Sequence, residues 1–205
     1  ISNLFPGLYH DLNVLFSEDS MQKYFKIDKE AYKSKGVFCL FDVRFPEINH
    51  IKNNAINALV CYNLLDSMNE IRKLVNTLID NGYNVVLRPH PSDKRRVRGF
   101  ENIEISVGRT IWEDLKYAAF VIVNESAVTL ESLYLNIPTY KLSSLSLSIR
   151  DNYGFIDKGL ITKEYFNENE LIKDIGSAKI VWDTNKLEWF IGSLKNRKSK
   201  LKLLN

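Results

Sequence analysis

The chemistry-bearing residues of this chain fall into two clusters. The first reads Arg88-Pro89-His90-Pro91-Ser92-Asp93. Two prolines fix φ and remove two backbone donors, so the histidine between them projects in a set direction. Arg88 adds a permanent charge whose planar fork suits phosphate oxygens. A phosphate beside His90 would favour the protonated imidazole, since opposite charge raises a pKa. His90 is therefore the candidate catalytic residue, with Arg88 and Pro91 beside it as substrate-binding candidates.

The second cluster reads Asn124-Glu125-Ser126-Ala127-Val128-Thr129-Leu130-Glu131. It follows an apolar run and opens an expected helix. The first amides of a helix lack internal partners and sit at the positive end of its dipole, which suits an anion. Asn124, Ser126, Ala127 and Thr129 are the candidates for holding that anion. Glu131, one turn on, is a candidate acceptor for ribose hydroxyls. Each has a plainer alternative: His90 as a packed loop residue, Ser126 as an ordinary N-cap, Glu131 as a solvated helix residue. The run Asp93 to Arg98 reads as a solvated charged loop. His10 and His50 have no evident partner and read as surface residues.

The elements that position these clusters alternate between strand and helix, which implies βαβ units and a mainly parallel sheet with helices on both faces, a Rossmann-like α/β fold. Strands are expected at 12–16, 37–41, 56–62, 84–88, 103–106, 120–123 and 138–142. A short helical stretch is expected near 20–25. The clearest helix runs from 68 to 80. Ser67 and Glu70 make a capping-box pattern, Ile71, Leu74, Val75, Leu78 and Ile79 repeat at helical spacing on one face, and Asn81-Gly82 ends it. Thr110 with Glu113, and Asn167 with Glu170, open further helices to about 118 and 175. Residues 126–135 form another, and a last one starts near 183. Serines 143, 144, 146 and 148 mark an irregular loop. The organisation expected is an N-terminal appendage and linker at 1–35, a nucleotide-binding domain at 36–180, and a C-terminal helix with a basic tail at 181–205. In such sheets ligands bind beyond the carboxyl ends of the strands, where both clusters fall.

With 205 residues, 45% of them apolar and 26% charged, the chain can build a core without staples. The net charge of +3 suits a phosphate-bearing ligand and is too weak to indicate nucleic acid. Cys39 and Cys61 lie in apolar runs and read as buried thiols of a reducing compartment. No spacing supports a zinc site, and no apolar run reaches the roughly 20 residues of a membrane span. Glycine-rich dinucleotide, Walker and Gly-x-Ser-x-Gly motifs are missing, which disfavours hydride transfer, P-loop hydrolysis and esterase chemistry. The basic end, Lys195 to Lys202, reads as a solvated helix terminus, with contact to anionic lipid as the alternative. The chain opens with Ile1, as an excised piece of a longer protein would.

The order of the motifs carries a resemblance. A strand leads into Arg-Pro-His-Pro at 88–91, a second strand leads into Ser126-x-x-Thr129-x-Glu131, and Leu135-Asn136-Ile137-Pro138 precedes another strand. This resembles the C-terminal, donor-binding domain of GT-B glycosyltransferases with a His-Pro motif: capsule-polysaccharide transferases of the Kdo and polysialic acid type, and teichoic-acid glycerophosphotransferases. The resemblance spans roughly residues 37 to 175. It implies one half of a GT-B fold, with His90, Pro91 and Ser126 at the donor phosphate. The implied donor is a CMP- or CDP-linked sugar or polyol more than a UDP-linked one, and the implied acceptor a polysaccharide. It also implies a cytoplasmic enzyme at the inner face of the membrane. No metal or other cofactor is expected, because His90, Arg88 and a helix dipole can carry the charge and no clustered carboxylates appear. The catalytic base of such enzymes usually comes from the N-terminal half, so it would lie outside this chain. Asn136 stands where the family usually has glycine; asparagine tolerates the left-handed backbone. The competing reading is a non-catalytic module that holds a nucleotide or sugar phosphate.

Overall fold

The computed structural model describes residues 57–95, 100, 103–147 and 151–191. The strands expected at 12–16 and 37–41, the helix at 20–25, Cys39, His10, His50 and the basic tail lie outside them. The chain divides into two compact units, residues 48–184 and the two ends, 1–47 with 185–205.

The first unit is built on β1 (Asn57–Tyr62), β2 (Asn84–Pro89), β3 (Glu104–Ile105), β4 (Phe120–Val123), β5 (Thr139–Leu142) and β6 (Glu164–Tyr165). They form one sheet in the order β3-β2-β1-β4-β5-β6, with every neighbouring pair parallel. A parallel sheet needs crossovers that cover both faces, and the strands are apolar on both sides accordingly. Ala58, Val60, Leu87, Ile122, Tyr140 and Leu142 face one core, with α1 (Met68–Asp80) contributing Ile71, Leu74, Val75 and Leu78 and α4 (Glu168–Gly176) contributing Leu171. Leu59, Cys61, Val121 and Val123 face the other, which takes in Leu115 of α2 (Ile111–Leu115) and Val128 and Tyr134 of α3 (Val128–Tyr134). Each fully buried aliphatic side chain contributes about 1.5–3 kcal/mol.

Local chemistry sets the helix ends. The Ser67 hydroxyl accepts from the Glu70 amide, and Thr110 and Glu113 make the reciprocal capping box. After α1, Tyr83 N–H reaches Leu78 O and Gly82 N–H reaches Ile79 O, a Schellman closure that uses φ +82° at Gly82. Asn136 has φ +56°, the left-handed backbone that its sequence context called for. Several elements differ from expectation: the helix expected to about 118 ends at Leu115, the strand expected at 103–106 is two residues, Glu104–Ile105, and Ile79 of α1 is exposed rather than on the apolar face. The helix expected over 126–135 is only seven residues, because Ser126 and Ala127 are held in the turn before it. The serine-rich loop contains a 3-10 turn at Ser143–Leu145, and two-residue β6 lies beyond it, too short to show a periodicity. In the second unit, α5 (Leu187–Ile191) buries Leu187, Phe190 and Ile191.

After α4, Ala178 N–H bonds Ile175 O and Lys179 N–H bonds Asp174 O, and Ala178 takes φ +52°. A Cβ is unfavourable there, so Ala178→Gly is expected to raise the urea-unfolding free energy by about 0.5–1 kcal/mol, while Ala178→Val lowers it.

Candidate functional site

The strand order reverses direction at β1. The chain moves outward through β2 and β3, then crosses to β4 on the other side of β1. The crevice at such a reversal is where open α/β sheets take their ligands. Three loops meet there: residues 63–66 after β1, 90–95 after β2, and 124–127 after β4. The first joins the other two. His90 N–H donates to Tyr62 O at 2.9 Å. Asn63 Nδ2 donates to Glu125 O at 3.0 Å, and Asn124 Nδ2 to Asp66 Oδ1 at 2.9 Å. Asp66 Oδ2 accepts from Asn63 N–H at 2.8 Å. Arg95 donates to Asp66 O at 2.6 Å and Asn63 O at 2.7 Å, while Asp93 takes the Nε edge of its guanidinium at 3.0 Å. The run beginning at Asp93, expected to be a solvated loop, thus ties the His90 loop to the β1 loop. Strands lie about 4.8 Å apart, so the ends of β2 and β4 stand roughly 10 Å apart with β1 between them.

His90 sits between its prolines at the end of β2 and is partly buried. Its Nδ1 accepts from Ser92 N–H at 3.1 Å. A ring nitrogen that accepts carries no proton, so the imidazole is neutral and its Nε2–H is the remaining donor. Burial lowers its pKa below the usual histidine value, against an opposing push from Asp93. In the ligand-free protein the Ser92 amide occupies the position that a second ring proton would need; the protonated imidazole expected from sequence is one with a phosphate beside it.

Arg88 differs from its expected role. It lies beside Cys61 in the β1–β2 register and donates to Ser106 Oγ at 3.0 Å, to Arg109 O at 3.1 Å and to Asp114. Asp114 is buried, also accepts from Ser106 Oγ at 2.5 Å, and pairs with Arg109 Nε at 2.9 Å. The Arg88 charge is matched inside the protein, on the face carrying α2 and α3, and the expected phosphate fork gives way to this ion pair. Burial pushes the neighbouring Cys61 thiol far above its usual pKa, so it stays protonated.

In the loop after β4, Asn124 is buried and committed to Asp66. The Ser126 hydroxyl accepts from Val128 N–H at 3.2 Å. Thr129 N–H bonds Ser126 O and Leu130 N–H bonds Ala127 O, closing tight turns. The amides of Ser126 and Ala127 themselves donate to no group among the described residues. Thr129 is 1% exposed, and its hydroxyl has no partner there. Glu131, 6% exposed, is buried close enough to Cys61 to act on its charge. That excludes the solvated position. With α3 only seven residues long, the loop amides rather than a helix dipole are what this segment offers an anion.

Sequence reasoning passed over Asn63, Asp66, Arg95 and the buried pair Lys141–Glu125. Lys141 is 1% exposed, pairs with Glu125 and lies 3.7 Å from Glu164. Glu125 also accepts from Asn152 N–H at 3.0 Å. Burial raises the carboxyl pKa of both Glu125 and Asp66, with hydrogen bonds from Lys141 and from Asn124 respectively opposing it. The strand-end rule applied to the run 56–62 would have pointed to Asn63 and Asp66. Among the described residues no group of His, Cys, Asp or Glu is placed to hold a metal ion, and no helix is long and apolar enough to cross a membrane.

The sheet order and its coverage on both faces define a Rossmann-like α/β domain that matches one half of a GT-B fold. No family model and no curated protein matches the sequence. Among solved structures, a histidine-to-alanine variant of the wall teichoic acid polymerase TagF is similar at 14% identity and TM-score 0.53, over 94% of this chain and 56% of that one. The glycosyltransferase SnogD from Streptomyces nogalater is similar at 14% identity and TM-score 0.49, over 83% and 51%. A TagF structure soaked with CDPG is similar at 14% identity and TM-score 0.48, over 91% and 48%. The chain spans about half the length of these structures.

Two outcomes test this geometry. Arg88→Met, which removes one of the two cations from a buried carboxylate, is expected to cost about 3 kcal/mol in urea unfolding; Arg88→Met with Asp114→Leu recovers most of it. Nitrogen-15 spectra at neutral pH are expected to show Nδ1 of His90 as the unprotonated nitrogen, with a titration midpoint below the ordinary value of about 6.5.

Proposed function

We propose that this chain is the donor-binding half of a GT-B glycosyltransferase and holds the phosphate of a cytidine-linked sugar or polyol for transfer to a surface polysaccharide. One observation carries the reading: the His90 loop and the Ser126 loop flank the end of β1 at the reversal of strand order, both bonded to the loop between them. The similarity to a wall teichoic acid polymerase supports it at the level of fold. In this reading Nε2–H of His90 donates to a donor phosphate oxygen from one side, and the Ser126 and Ala127 amides from the other. Charge building on the leaving phosphate then meets fixed donors in a partly dehydrated site, which is electrostatic catalysis. Thr129 stands behind those amides as a further donor. The acceptor would be a growing polysaccharide at the cytoplasmic face of a membrane, and the base that activates it would come from outside the described unit.

The test is titration calorimetry with CMP, CDP, UMP, UDP and cytidine. Cytidine nucleotides are expected to bind more tightly than uridine nucleotides. His90→Ala is expected to weaken CDP by roughly 10- to 100-fold, the worth of a hydrogen bond to a charged group, and cytidine by less than about twofold. Equal losses for CDP and cytidine would remove His90 from the phosphate. A phosphate at Nε2 also raises the histidine pKa. CDP affinity should therefore be greatest below the free-protein midpoint, fall as pH rises through the interval to the bound-state midpoint, and level off above it, because the neutral ring still donates. Tight binding of CDP without transfer from any cytidine-linked donor would favour a non-catalytic module.

A further inference from the structure

We propose that Asp66 is the positioning residue of this site: it touches no ligand and sets the spacing between the His90 loop and the Ser126 loop. The inference rests on the donor-binding reading and deepens it. Asp66 is 1% exposed and bonds to four loops at once. Its Oδ2 closes its own loop through Asn63 N–H, and its own N–H returns to Asn63 O at 3.1 Å. Its Oδ1 takes Asn124 Nδ2, two residues before Ser126. Its carbonyl takes Arg95, five residues after His90. Its backbone pairs with Ser146 beyond β5. The two ligand-holding loops share no strand neighbour except β1, so their separation is transmitted through residues 63–66. A buried carboxylate with a donor committed to each oxygen resists displacement, because moving either loop leaves a buried polar group without its partner. Shifts of about an ångström in such a site are enough to cost orders of magnitude in function.

Asp66→Ala removes both acceptors. Asp66→Asn keeps the shape: its oxygen can take Asn63 N–H, and its amide can donate to Asn124 once that side chain turns over. Asn124→Asp sets two carboxylates against each other, and Asp66→Asn in the same chain restores a donor–acceptor pair. Two readouts apply to the whole chain. One is CDP affinity by calorimetry, and the other is amide hydrogen exchange of residues 124–127 against the strand residues 58–61. With urea unfolding run beside both, Asp66→Ala is expected to weaken CDP at least roughly tenfold and speed exchange at 124–127 by a similar factor, leaving 58–61 unchanged. Asp66→Asn, and the double variant relative to Asn124→Asp alone, are expected to return both readouts to within about threefold of the native chain. The proposal is overturned if folded Asp66→Ala matches the native chain in both readouts, or if loss at 124–127 only follows global stability. Should Asp66→Ala not fold, a folded double variant that remains as impaired as Asn124→Asp overturns it. Failure of the native chain to bind CDP would instead refute the donor-binding reading, and the exchange data would still decide the role of Asp66.

Discussion

A strand hydrogen-bonded in parallel on both sides cannot end without leaving a gap. The chain that leaves β1 turns to one face of the sheet, and the chain that returns for β4 comes down the other. The two connections diverge, and loops gather around the carboxyl ends of β2, β1 and β4. Everything polar in the site follows from closing that gap. Asn63 and Asp66 supply the groups that bridge it, Arg95 draws in the loop from one side, and Asn124 anchors the loop from the other. The apolar strands beneath are buried on both faces, so the rim stands on a base that does not yield.

The polar groups of the rim are arranged in two tiers. The lower tier is buried and internally matched: Asp66 with Asn124, Lys141 with Glu125, Arg88 with Asp114. Such pairs contribute little net stability, since desolvation offsets most of their attraction, but losing one member is costly. Their effect is to fix where backbone runs. In the proposed function the upper tier, Nε2 of His90 and the amides of Ser126 and Ala127, is what meets the donor phosphate. Arg88, expected at a phosphate, is paired with Asp114 inside the protein.

How much of this was legible depended on the range of the interactions. The helix at 68–80 matches to the residue, because thirteen positions of amphipathic spacing and a local cap and stop all agree. The strand at 120–123 is equally plain as a short apolar run between polar loops. The helix after Ser126 was read too long, since sequence does not show that the Ser126 and Ala127 carbonyls close tight turns at its start. The role of Arg88 was misread because its partner Asp114 lies twenty-six residues away, across the face of a sheet. Asp66 was passed over for the same reason: its partners Asn124 and Arg95 are distant in sequence, and no spacing rule connects them. The positions of His90 and Ser126 at strand ends could be read; the bond from the Ser92 amide to the imidazole could not, since it depends on how the loop turns after Pro91.

The outermost strands have a consequence for behaviour at high concentration. Among the described strands, β3 and β6 close the two sides of the sheet and each is two residues long. A long exposed side would offer a row of unpaired N–H and C=O groups on which a neighbouring molecule could add a strand. Here that row is cut to a couple of groups at either margin. The interior strands, rich in valine, isoleucine and leucine, are of the kind that would template stacking if uncovered, and the short flanks shield them from self-association.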